Sequence, residues 1–149
     1  GAVRINGIDI RRFDVAELRN GISVIFQDYV QFFFTARQNI TFGDIDNADD
    51  ARRLADAIRL ANADTVVDHL GKGLDTQLGR QFAGGEELSM GQWQRIALAR
   101  QLYSQAQVLL FDEPTAWMDA AARSNFKQTL DNLRPEHIIL LVQHSQSDN

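Results

Sequence analysis

Two stretches of this chain carry residue types that can hold a charged ligand. In "LSMGQWQRIALAR", residues 88–100, a hydroxyl (Ser89), a glycine (Gly91) and an amide (Gln92) stand directly before a helical pattern. Ser89 is a good N-cap, the first amides of a helix lack intrahelical acceptors, and the helix dipole favours negative charge there. Gly91 allows close approach of the backbone. The stretch reads as an anion-binding helix start. In "LLFDEPTAWMDA", residues 109–120, an apolar run ends in Asp112-Glu113. Adjacent carboxylates at a buried strand end are costly unless a cation or proton offsets them. Mg²⁺ held through Asp112, with Glu113 aimed at an attacking water, resolves that cost. A solvated strand-to-loop acid pair needs no such partner, and the pair alone leaves both readings open.

The elements that must position these residues alternate in type. "AVRINGIDI" (2–10) alternates apolar and polar side chains around Asn6-Gly7, a hairpin signal. "ISVIF" (22–26) is a strand ending at Gln27. Over 47–61, Leu54, Ile58 and Ala61 share a helix face, with Asn47 as the expected cap. A short helix is expected at 64–70, and 71–87 is a loop with five glycines. The helix from about Ser89 to Tyr103 buries Ile96, Ala99 and Tyr103, and the strand "QVLLF" follows. Phe126, Leu130 and Leu133 mark an amphipathic helix over 119–133, stopped before Pro135, and "HIILLV" is the next strand. Near-continuous apolar strands separated by helices predict a parallel α/β sheet covered on both faces. Ligands of such sheets bind beyond the carboxyl ends of the strands. Gln27, Asp112-Glu113 and Gln143-His144 each follow a strand end and should meet there.

Composition narrows the function classes. With 149 residues and 44% hydrophobic content, the chain suits one domain or a large piece of one. A net charge of -5 with scattered basic residues argues against a general nucleic-acid binder. Absence of cysteine excludes disulfides and thiolate metal sites. The longest apolar runs, Val108 to Phe111 and Ile138 to Val142, are far short of the roughly 20 residues that cross a bilayer, and nothing reads as a signal peptide.

"LSMGQWQRIALAR" followed by "LLFDEPTAWMDA" resembles the signature motif, Walker B motif and D-loop of the ATPase domain of ABC transporters. "VIFQDY" resembles the family's Q-loop, "RQNITFG" the segment after it, and His144 stands where the switch histidine is expected. "GRQFAGGEELSMGQWQR" and "NITFG" look more like exporters than importers. The resemblance implies an α/β partial P-loop NTPase core, residues 1–27 and 105–149, with a mostly parallel sheet and an inserted helical signature subdomain at 28–104. It implies ATP as substrate and Mg²⁺ as metal. Asp112 would hold Mg²⁺, Glu113 would be the general base, Gln27 would contact metal and water, and His144 would bond the γ-phosphate. Ser89, Gly91, Gln92 and the D-loop Asp119 would serve ATP on a second ATPase domain in a head-to-tail dimer. A transmembrane domain would be the other partner, at the cytoplasmic face of the membrane.

Two departures from the family pattern stand out. Met90 replaces the usual glycine; in a first helical turn its backbone is ordinary, whereas positive φ would cost about 1 kcal/mol. No G-x-x-x-x-G-K-[ST] occurs, and neither Lys72 nor Lys127, the two lysines, has that setting. The expectation is a fragment that keeps the second half of the catalytic apparatus, is incompetent alone, and exposes sheet edges and apolar surface. An importer or soluble ABC ATPase, and a non-catalytic dimerisation module, are the alternatives. Among the remaining features, "YVQFFFTA" offers rings either for a transmembrane coupling helix or for packing the helical insertion. Trp93 reads as a packing residue, His69 and His137 as surface or satisfied core groups, and Asp44 to Asp50 as a solvated helix start.

Overall fold

The computed structural model describes residues 1–26, 28, 30–115 and 120–142. Strands β1 (Arg4–Ile5) and β2 (Ile8–Asp9) pair antiparallel, with Ile5 opposite Ile8. The turn between them is built from Asn6 and Gly7, both at positive φ (50° and 78°), as a tight two-residue hairpin turn demands. Helix α1 (Val15–Asn20), capped by the Asp14 side chain, leads into β3 (Ile22–Ile25).

Helices α2 (Ala36–Thr41), α3 (Ala51–Leu60), α4 (Asp64–His69) and α5 (Met90–Tyr103) follow. Leu54, Ile58 and Ala61 are buried, as the periodicity predicts. The cap of α3 is Asp50, whose carboxylate accepts from Arg53 N, and not Asn47. Residues 45–47 instead form a 3-10 turn, which moves the helix start to the next side chain able to cap. On α5, Trp93, Ile96, Ala99 and Tyr103 are fully enclosed. Helices α2 and α5 lie so close that a Cβ on Gly43 would stand 2.2 Å from the Arg100 carbonyl oxygen, so only glycine fits there.

Strand β4 (Val108–Asp112), helix α6 (Ala120–Leu133) and strand β5 (Ile138–Val142) complete the described elements. The sheet has order β3-β4-β5 and is parallel throughout, with Ile25 beside Phe111, Phe111 beside Leu141 and Asp112 beside Val142. Among the described residues helices lie on one face only, so the expected cover on both faces is not seen there. The two crossovers, β3 to β4 and β4 to β5, step in the same direction, and right-handed connections then place their helices on the same side. Ile25, Leu109 and Phe111 are accordingly buried on that side, and Phe126 of α6 meets Phe111 edge-on at 5.5 Å. The alternate residues Val24, Ile138, Leu140 and Val142 are 37–60% exposed.

Candidate functional site

The parallel register brings the carboxyl ends of the three strands level, as the sequence predicts. Gln27 is two residues beyond Ile25, and His144 two beyond Val142; both, with Tyr29 and Asp119, lie outside the described residues. Asp112 closes β4 and Glu113 follows, and both are half-buried. Burial therefore compels a cation at this pair less strongly than a fully enclosed strand end would. Glu113 has φ of 45°, a left-handed conformation that costs a non-glycine residue about 1 kcal/mol or more. Its amide donates to Val142 O at 2.9 Å, which ties the loop to β5.

At the start of α5, Ser89 Oγ accepts from Gln92 N at 3.3 Å and Gln92 Oε1 accepts from Ser89 N at 2.8 Å. This capping box fixes the helix start and engages the Gln92 side-chain oxygen within it, a role the motif reading did not foresee. Met90 is the first helical residue, so its backbone is the ordinary helical one and the strained alternative does not arise. Ser89, Met90 and Gly91 are exposed. A Cβ on Gly91 would meet nothing within 4 Å, so nothing inside the described chain requires glycine there.

Helix α5 is also fastened to its surroundings by three polar side chains that the motifs do not single out. Gln94 Nε2 donates to Pro114 O at 2.6 Å, in the loop just past Glu113. Gln101 Nε2 donates to Ser23 O at 2.9 Å and Leu110 O at 3.3 Å, joining β3 and β4. Arg100 donates to Asn39 and Val30, and its guanidinium lies 4.5 Å from the Phe32 ring centroid. Burial lowers the Arg100 guanidinium to about 10. The signal for Gln101 and Arg100 is a polar pair set into a helix of otherwise buried apolar positions, since enclosed polar groups seek partners. A cleft of about 470 Å³ opens between α4, α5 and α6, with Thr65, Gly91, Gln94, Asn125 and Asn132 on its walls.

The rings after Gln27 divide. Phe32 meets Phe42 edge-on at 5.3 Å and packs inward, while Phe33 and Phe34 are about half exposed beside Phe82 and Phe42 respectively. His137 Nδ1 contacts Leu133 O at 3.2 Å and exposed His69 contacts Thr65 O, which leaves both histidines to helix ends. Asp44 pairs with Asn47 Nδ2 and Arg53 at the start of the acidic run. Among the described residues no group of three or more His, Cys, Asp or Glu side chains could cage a metal, and no helix is long and apolar enough to cross a membrane.

Residues 1–116 match the family model described as ABC transporter. The subtilin transport ATP-binding protein SpaT of Bacillus subtilis is 35% identical over 144 residues, 97% of this chain and 24% of that protein. An ATP-dependent lipid A-core flippase of Alcanivorax borkumensis is 35% identical over 147 residues, 99% of this chain and 25% of its own length. A solved bacterial Atm1-family ABC exporter with ATP bound superposes with a TM-score of 0.82 at 30% identity, over 99% of this chain and 25% of that one. The chain thus spans about a quarter of the length of these relatives.

Proposed function

This chain belongs to the ABC transporter family, and on that premise we propose that it is the second half of an ATPase motor domain in an exporter, at the cytoplasmic face of a membrane. The observation that carries the reading is the level ending of three parallel strands, with Asp112-Glu113 at the central one and positions 27 and 144 within two residues of the flanking ones. Glu113 accepts the proton of a water that attacks the γ-phosphorus of ATP, as ADP leaves. Gln27 orients that water and His144 bonds the γ-phosphate.

The donor set suits Mg²⁺. Asp112 supplies a hard carboxylate oxygen, and a small octahedral ion that keeps most of its waters needs few protein ligands rather than a cage. When bound, Mg²⁺ neutralises phosphate charge, with Asp112 and Gln27 holding it. Ser89, Gly91 and Gln92, with Asp119, face the ATP of a second ATPase domain in a head-to-tail dimer. The open space at Gly91 supports that assignment, because glycine there serves only a group from outside the described chain. The exposed Phe33 and Phe34 suit a coupling segment of a transmembrane partner. A P-loop-bearing segment completes the site and covers the bare sheet face of Val24, Leu140 and Val142; without it this chain is inactive.

The test is ATP turnover by the whole polypeptide that carries this segment. Glu113→Gln should keep ATP binding and slow phosphate release by about 10²-fold or more. Unchanged turnover would refute Glu113 as base. Phosphate release from residues 1–149 alone would refute the need for a P-loop segment.

A further inference from the structure

Gln94 stands 20 residues before Pro114 in sequence, yet its amide nitrogen rests 2.6 Å from the Pro114 carbonyl oxygen. Pro114 is buried and has no N–H, so its carbonyl is the only main-chain polar group by which that residue can be held. On the other side of the same loop, the Glu113 amide is held by Val142 O at 2.9 Å. Between these two ties sits Glu113 at φ of 45°. A non-glycine residue stays in that sparsely populated region only where its surroundings over-determine it.

From this clamp we infer that Gln94 is a positioning residue for Glu113, and that it couples the anion-binding start of α5 to the carboxylate at the end of β4. The inference rests on the reading of Glu113 as the base. Gln94 lies on α5 a turn beyond Ser89 and Gly91, within one rigid helix anchored by its capping box. Ser89 and Gly91 face the partner domain's nucleotide, whereas Glu113 acts on this domain's own. A displacement of the α5 start as it closes on one ATP is therefore carried by the Gln94 amide to the base serving the other. Loss of the donor frees Pro114 O, and Glu113 relaxes toward an unstrained φ that swings its carboxylate away from the water.

The experiment uses the whole polypeptide and compares Gln94→Met, which keeps the length and loses the donor, with Gln94→Lys, which keeps a donor. Turnover and hydrogen exchange over residues 110–115 are both measured, since exchange does not depend on ATP hydrolysis. Gln94→Met should lower kcat about tenfold, leave KM for MgATP within about twofold, and raise exchange of the Glu113 amide about tenfold. Gln94→Lys should recover both kcat and protection to within about threefold of the parent. If Gln94→Met leaves kcat and exchange unchanged while Glu113→Gln is inactive, the role of Gln94 is refuted and that of Glu113 stands. Equal loss in both Gln94 variants with exchange unaltered, or a rise in KM without loss of kcat, overturns the inference in favour of packing or nucleotide contact. If Glu113→Gln turns over normally, the reading of the base fails and this inference fails with it.

Discussion

Two nitrogens of the Arg100 guanidinium close on one residue, Asn39: Nε on its main-chain oxygen at 2.6 Å and Nη2 on its side-chain oxygen at 3.0 Å. The third, Nη1, reaches Val30 O at 3.1 Å, and Asn39 Nδ2 in turn donates to Phe32 O and Thr35 O. A planar fork of donors is what such a set of carbonyls requires. Among the described residues no carboxylate forms an ion pair with Arg100. Burial lowers it to about 10, so it stays charged at neutral pH, held by these carbonyl oxygens and by the face of the Phe32 ring.

Replacing Arg100 by Lys keeps the charge and loses the fork. The variant should be less stable by about 2–3 kcal/mol, read as a lowered midpoint in urea unfolding, because two acceptors are stranded away from water. A midpoint equal to the parent's would mean that charge alone holds Val30 and Asn39.

Gly91 separates stability from function. A Cβ there meets nothing within 4 Å, so Gly91→Ala should leave thermal stability unchanged or raise it by up to about 1 kcal/mol, as in any exposed helix position. The same variant should lose ATP-driven association of two ATPase domains, measured by gel filtration in a Glu113→Gln background. Association that survives the methyl would place the phosphate elsewhere.

Asp44 predicts a pH dependence. The Asn47 amide first, and then Arg53, hold its carboxyl below the ordinary 3.8. Folded Asp44 thus binds its proton less readily than unfolded Asp44, and the stabilisation is present above the unfolded pKa and lost as pH falls through the folded one. Asp44→Asn should cost about 1–2 kcal/mol at pH 7, and the difference from the parent should shrink below about pH 4. A difference that does not vary with pH would rule out this charge pairing.

Leu140 tests the bare side of the sheet, where it is 50% exposed. In the whole polypeptide, Leu140→Ser should destabilise by about 2 kcal/mol, the cost of losing a buried leucine. In residues 1–149 alone the change should stay within about 0.5 kcal/mol, as for a surface position. Equal effects in both settings would mean that no further segment covers this face.

Much of the architecture is local and was legible for that reason. Asn6-Gly7 announces the hairpin, and the spacing of Leu54, Ile58 and Ala61, or of Ile96, Ala99 and Tyr103, announces α3 and α5. Helices α1 and α2 span only six residues each, too short for a period to show, although Asp14 and the Thr35–Gln38 capping box mark their starts. The one-sided sheet was not legible, because it follows from strand order, and apolar runs look alike whether one or both faces are covered. At the site, Ser89–Gly91 and Asp112-Glu113 stand out by residue type and spacing. Gln94 does not, since an amide meeting a carbonyl 20 residues away leaves no pattern in the chain. Nor does sequence reveal the left-handed φ of Glu113.

Where Gly43 touches the Arg100 carbonyl, main chain meets main chain with no side chain between. Side chains are the compliant parts of a packed interior: they change rotamer and absorb small shifts. At this one contact that cushion is missing, although close by the Arg100 side chain bridges α5 to Asn39 of α2. A bulkier residue at position 43 would therefore have to wedge the two backbones apart at this point.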